Sequence, residues 1–167
     1  PVCTHHNVLL LGSNGFVGMH LLDSFLQKDT GNIYCIVRDK DGIKAEKRFM
    51  DILHFYFGSK WDVYLNRRIF VISGSIISDN FGLERNVYEN LAQKIDIVVN
   101  AAAIVKHYGN IEKFKKIIVD STSKMVQFCN RFHKPLFHIS SLSVSGNMSL
   151  DGNHSDRTDL TRNGNQF

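Results

Sequence analysis

Apolar residues gather in five short runs, separated by stretches in which they recur at wider, helical intervals. Residues 7–11 ("NVLLL") form a brief apolar run ending at Gly12, which reads as a buried strand. Over 16–28, Phe16, Val17, Leu21, Leu22, Phe25 and Leu26 fall on one helical face. "NIYCIVR" (32–38) is a second strand. Residues 41–57 predict a helix whose apolar side is Ile43, Phe49, Ile52, Leu53 and Tyr56. "RIFVIS" (68–73) gives a third strand, "VYENLAQK" (87–94) a short helix, and "IDIVVNAAA" (95–103) a fourth strand that runs into small residues. A long helix is expected over 110–132, capped near Asn110. "PLFHISS" (135–141) is a fifth strand, and Pro135 fits its first position.

Strand and helix alternate throughout, which implies a parallel sheet with helices on both faces. Right-handed crossovers then give an α/β, doubly wound sheet with the strand order 3-2-1-4-5. In such a sheet ligands bind outside the carboxyl ends of the strands. Gly12, Arg38, Ala101 to Ala103 and Ser141 all fall at such ends, and their convergence marks a candidate site.

Composition narrows the picture without changing it. The 167 residues, 43% of them apolar, suffice for one domain with a real core. The net charge of +4 is spread along the chain rather than gathered on one element, which argues against nucleic acid as a partner. No apolar run is long enough to span a bilayer. Cys3, Cys35 and Cys129 show no paired spacing, which suits thiols in a reducing compartment and a cytoplasmic setting. The eight histidines show no metal-ligand spacing (His5 and His6 are a terminal pair), so no metal is expected. Both ends look cut. Residues 1–146 carry the pattern of the domain, and 147–167 form a polar segment.

The junction between the first strand and helix carries the chemistry. "GSNGFVG" places Gly12, Gly15 and Gly18 three apart, in the pattern G-x-x-G-x-x-G. A helix entered directly from a strand presents unpaired amides and the positive end of its dipole, a natural phosphate site. Glycine permits the tight turn and the close approach of a pyrophosphate, and Gly18 lets helix and strand pack closely. A dinucleotide pyrophosphate is therefore expected over Gly12, Ser13, Asn14, Gly15, Phe16, Val17 and Gly18. The competing reading is a tight turn with no ligand. At the end of the second strand stands Arg38, where an acid would bond the ribose 2′-hydroxyl of NAD and an arginine suits the 2′-phosphate of NADP. Arg48 can add a second positive contact. Asp39 follows Arg38 and leaves an acidic reading open, and a solvated strand end is the plain alternative for Arg38.

The loop resembles that of the extended short-chain dehydrogenase/reductase superfamily, commonly T-G-A-T-G-F-L-G, through Gly12, Gly15, Phe16 and Gly18. "IYCIVR", a helix with A-x-x-R, "RIFVISGS", "FGL", Y-x-x-L, "IDIVVNAAAIVKHYG" and "HISSLSVSG" then follow in order. Over residues 7–146 the chain is similar to the reductase domain that ends many nonribosomal peptide synthetases, and to carboxylic acid reductase and fatty acyl-CoA reductase domains. The resemblance implies a Rossmann-type domain over 1–146. The implied reaction is NADPH-dependent reduction of an acyl or peptidyl thioester, held on the phosphopantetheine of a carrier protein, to an aldehyde and in some cases an alcohol. It further implies that Asn100, Ala101, Ala102 and Ala103 line the coenzyme, that Gly74 and Ser75 lie near the adenine, and that Ser141 is the catalytic hydroxyl, with Ser140 as its neighbour and alternative. The serine pair also suits a chain turn. Two positions depart from the family pattern. Ser75 stands where the family has Asp after Gly, and Ile118 where it has Asn.

Reduction of a thioester needs a donor to the carbonyl oxygen and a proton, which the superfamily draws from a tyrosine with lysine four residues on. Tyr56 and Lys60 have that spacing, but they precede the third strand, and Tyr56 completes an apolar helical face. No tyrosine follows Ser141. The expectation is therefore a coenzyme-binding part of a longer reductase, inactive alone, with 147–167 leading toward a catalytic helix and a substrate-binding region. His107 is either a substrate contact or an ordinary polar residue at a strand end. Two other functions stay open: a sugar-nucleotide epimerase or dehydratase of the same superfamily, and a non-catalytic NADP-binding module.

Overall fold

The computed structural model describes residues 6–28, 31–103 and 115–140. Its centre is a five-stranded, wholly parallel sheet of β1 (Val8–Leu11), β2 (Ile33–Val37), β3 (Ile69–Ser73), β4 (Ile97–Asn100) and β5 (Leu136–His138), ordered β3-β2-β1-β4-β5. The expected strand order is the observed one. Leu10 pairs with Cys35 on one side and Val99 on the other, and Leu11 with Ile36 and Asn100. Successive side chains of β1 enter opposite faces, and both faces are covered, so the strand reads as a continuous apolar run.

Helices α1 (Phe16–Gln27) and α2 (Ala45–Phe57) close one face, where Leu10, Cys35 and Ile69 pack with Met19, Leu22, Phe49 and Leu53. Helices α3 (Arg85–Lys94) and α4 (Ser121–Phe132) close the other, where Leu9, Leu11 and Val98 meet Tyr88, Leu91, Met125 and Phe128. A π-helical turn, Lys115–Asp120, leads into α4. Residues 110–114 of the expected long helix lie outside the described residues.

Several boundaries differ from those the pattern predicts. The helix expected from residue 41 starts at Ala45, because Lys40 and Ile43 exchange both backbone hydrogen bonds (3.0 and 2.9 Å) around Asp41 and Gly42. Both central residues have left-handed φ, 52° and 76°, the geometry that an Asp-Gly pair favours. Ile43, assigned to the apolar side, is consequently exposed. The fourth strand stops at Asn100; the Ala101 amide still donates to the Leu11 carbonyl (2.9 Å), and Ala101 to Ala103 are no longer strand. The short helix starts two residues earlier than expected, and β5 keeps only Leu136–His138. In α1 the buried side is Gly18, Met19, Leu22 and Leu26, so Phe16 and Val17 are turned outward, 65% and 44% exposed. Helical spacing defines a stripe, but the contact with β1 decides which stripe faces inward.

Tyr56 packs half-buried against the first core, beside Phe16 and His20, as its helical position suggested. Lys60 pairs with Asp23 at 2.9 Å. Cys35 and Cys129 are buried free thiols, and burial pushes Cys35 up to about 12. Cys3 lies outside the described residues. Among the described residues, no helix is long and apolar enough to cross a membrane, and no group of three His, Cys, Asp or Glu side chains could hold a metal ion.

Candidate functional site

At the carboxyl ends of β1, β2, β3 and β4 lies an open cleft of about 250 Å³. It brings together Gly12, Asn14, Gly15, Arg38, Gly74, Ser75 and Ala101 to Ala103 from the residues the sequence singled out. Ile36, Ile76 and Ile77 join them. The signal for Ile36 was available, since it sits two residues before Arg38 on the same apolar strand. Ile76 and Ile77 sit in a loop with no periodicity to read.

Backbone proximity explains the glycines. Gly12 turns the chain with φ +76°, and a Cβ there would stand 2.5 Å from the Ala102 nitrogen. The Gly15 amide donates to the Gly12 carbonyl (3.0 Å), and Gly15 in turn accepts from Met19 (2.9 Å). Gly15 occupies the N-cap of α1 without a capping side chain, and the first turn holds no acid. The amides at this helix start therefore keep their affinity for an anion. Gly18 lies beneath, against the Gly12 carbonyl. Ser13 takes a different part from its neighbours. Its side chain is fully buried under the turn, beside the Cys35 thiol. Only its backbone belongs to the turn.

Arg38 is exposed at the end of β2 and lines the cleft. Arg48, half-buried on α2, donates from its guanidinium to the Arg38 carbonyl. Asp39 is committed elsewhere. Its Oδ1 accepts the Ala45 amide (2.8 Å) and the Ser73 hydroxyl (2.9 Å), and Lys44 reaches Oδ2 at 3.3 Å. It thus caps α2 across the tight turn.

The Ala45 amide first, then Ser73 and Lys44, hold the Asp39 carboxyl below its usual range. A depressed folded-state pKa means that the unfolded chain binds the proton first as pH falls. The capping contribution is therefore intact above the ordinary carboxylate value and is lost as pH drops through the depressed one. Hydrogen exchange at Ala45 should show its protection factor falling over that acid window, and Asp39→Ala should remove the pH dependence. An unchanged profile in the variant would contradict the cap.

The far wall is a strained loop. Asn80 and Phe81 have φ of 48° and 58°. For a bulky residue such a φ is an outlier, and it persists only where packing over-determines it. Phe81 is buried with its ring 5.5 Å from Tyr88 and 5.3 Å from Phe128. Ser75 donates its amide to the Phe81 carbonyl (2.7 Å). Lys124 of α4 holds the loop from outside, donating to the Ile77 carbonyl at 2.8 Å and pairing with Asp79 at 2.8 Å.

Asn100 is buried and does not itself line the cleft, but it holds the residues that do. Its Oδ1 accepts the Ala102 amide at 3.0 Å, and its side-chain amide meets His138 at 2.8 Å. Ser140 is exposed just beyond β5. Ser141 and His107 lie outside the described residues.

Residues 10–161 match the model of the NAD_binding_4 family, described as Male sterility protein. The fold is similar to a thiolation-reductase di-domain from an archaeal non-ribosomal peptide synthetase, with 31% identity and a TM-score of 0.74, over 87% of this chain and 30% of that one. It is also similar to the terminal R domain of the myxalamid PKS-NRPS biosynthetic pathway, with 27% identity and a TM-score of 0.73, over 86% of this chain and 37% of that one. Among curated proteins, Probable polyketide synthase 44 of Dictyostelium discoideum is 28% identical over 145 residues, which is 84% of this chain and 5% of the synthase. The chain thus spans a small part of that relative and about a third of the solved structures it resembles.

Proposed function

The chain belongs to the NAD_binding_4 family, described as Male sterility protein, and we propose that it is the NADPH-binding part of a thioester reductase that releases an acyl or peptidyl group from a carrier protein. The observation that carries this reading is the uncapped start of α1, entered through Gly12 and Gly15, facing Arg38 in one cleft. The glycines let the turn pack tightly against Ala102 and the start of α1, and the uncapped amides at that start fit a pyrophosphate. Arg38 suits a 2′-phosphate, while the carboxylate of Asp39 is spent on the start of α2. Ile36, Ile76 and Ile77 offer an apolar bed for an adenine, and Ala101 to Ala103 leave space for the rest of the dinucleotide.

When bound, a nicotinamide coenzyme supplies hydride to the thioester carbonyl. The part of this chain's own residues in that chemistry is to hold and orient. Ser141 donates a hydrogen bond to the carbonyl oxygen as negative charge gathers there. The reaction also needs a proton donor, and no tyrosine follows Ser141 in this sequence. The solved relatives described as terminal R and thiolation-reductase domains support this reading.

Titration by nicotinamide fluorescence tests it. The 167 residues should bind NADPH well above NADH, yet give no coenzyme oxidation with an acyl pantetheine thioester. Preference for NADH would favour a sugar-nucleotide epimerase or dehydratase instead. No binding of either coenzyme, or turnover by this chain alone, would overturn the proposal.

A further inference from the structure

We propose that His138 is a positioning residue for the coenzyme cleft, acting through Asn100 as a neutral imidazole protonated on Nε2. The inference concerns the internal geometry of β4 and β5. Its consequence for the coenzyme rests on the function proposed above.

Asn100 is the last residue of β4 and is 1% exposed. Its amide has one oxygen edge and one NH2 edge, and the surroundings dictate which way each points. The Ala102 N–H, 3.0 Å away, can only donate, so Oδ1 must face it. The NH2 edge then faces His138, with Nδ2 2.8 Å from Nδ1. Nδ2 can only donate, so Nδ1 must accept and carry a lone pair. The imidazole proton is thereby assigned to Nε2. The reversed amide would set two donors against each other at Ala102 and leave its N–H without the acceptor it has now.

The consequence runs along a short chain of contacts. His138 fixes the amide of Asn100, Asn100 fixes the amide of Ala102, and Ala101 to Ala103 line the cleft. Ala102 also stands against the glycine turn, where a Cβ on Gly12 would come within 2.5 Å of its nitrogen. A small displacement of Ala102 therefore alters the space over the turn. Strand pairing alone does not set this. The β4–β5 ladder places His138 opposite Asn100, and the Ile139 amide donates to the Asn100 carbonyl at 2.9 Å, but neither orients the side-chain amide. An acceptor on residue 138 does.

Two measurements test the proposal independently of each other. In the 15N-labelled chain without coenzyme, at about pH 8, where imidazole is neutral, long-range 1H–15N spectra should show His138 with its proton on Nε2. A proton on Nδ1 would overturn the proposal whatever the coenzyme does. Second, His138→Phe keeps a ring and removes the acceptor. It should speed exchange of the Ala102 amide and weaken NADPH binding, each about tenfold, the scale of one lost hydrogen bond with a stranded donor. His138→Gln can present an oxygen to Asn100 and should recover most of both effects. Equal behaviour of the Phe and Gln variants would show a merely steric role for residue 138 and sink the proposal. If the wild-type chain fails to bind NADPH, the functional reading fails, while the tautomer and the Ala102 exchange still decide this one.

Discussion

Replacing Gly18 by alanine is expected to destabilise the chain by about 3 kcal/mol and to abolish coenzyme binding, the upper end of the range for overpacking a close-packed site. The added Cβ would stand 2.1 Å from the Gly12 carbonyl oxygen, 2.7 Å from its carbon and 2.8 Å from the Ser13 Cα. All three are backbone atoms, so no side chain can swing aside. Either α1 lifts from β1 or the turn opens. Lifting α1 drags Met19, Leu22 and Leu26 out of the first core. Opening the turn breaks the bond from the Gly15 amide to Gly12 and spoils the anion site. Alanine gains up to about 1 kcal/mol of helix propensity over glycine, too little to offset the clash. Gly15→Ala is the internal comparison. There the Cβ would sit 3.3 Å from the same oxygen and φ is −92°, so a few tenths of an ångström of relaxation suffice. Urea unfolding of the two variants should separate them clearly. Equal midpoints would mean that the helix start is not packed as tightly as its geometry requires.

The contrast between these two glycines shows what a sequence can disclose. The spacing of Gly12, Gly15 and Gly18 placed the turn, because only a strand entering a helix calls for glycine so regularly. It did not rank the three, because that depends on which backbone lies behind each. The sheet was legible for a related reason. Strands buried on both faces must be apolar throughout, and the right-handed crossover rule then leaves few orders to choose from. Where the prediction missed, local chemistry or tertiary contact prevailed. Asp41-Gly42 falls within a helical pattern, yet the pair adopts a left-handed turn. Phe16 and Val17 fit the apolar helical stripe, whereas the contact of Gly18 with Gly12 turns the buried side away from them. The buried hydroxyl of Ser13 and the left-handed Phe81 had no sequence signal at all. One depends on the direction of a side chain in a loop. The other depends on an aromatic cluster assembled from α3 and α4. The pairing of His138 with Asn100 needs the register of β4 on β5, which no local pattern reveals.

Arg38→Ala is expected to weaken NADPH binding by about 10- to 150-fold and to leave NADH binding nearly unchanged. A hydrogen bond to a charged group contributes about 1.5–3 kcal/mol, and each 1.4 kcal/mol is about a factor of ten. Only the 2′-phosphate distinguishes the two coenzymes, so a loss confined to NADPH isolates that contact. Arg38 is exposed, and salt therefore screens part of its attraction. The wild-type preference should shrink as ionic strength rises, and the variant should show little further dependence. Arg48→Ala should behave differently. Its guanidinium already donates to the Arg38 carbonyl, so its removal frees the end of β2 and weakens both coenzymes modestly rather than one selectively. Asp39 cannot supply an NAD-type contact in compensation while it holds the Ala45 amide and the Ser73 hydroxyl. Asp39→Asn in the Arg38→Ala background should therefore leave NADH affinity unchanged, because the carboxylate serves α2. Equal losses for both coenzymes in Arg38→Ala would assign that arginine to the shape of the cleft rather than to recognition of the phosphate.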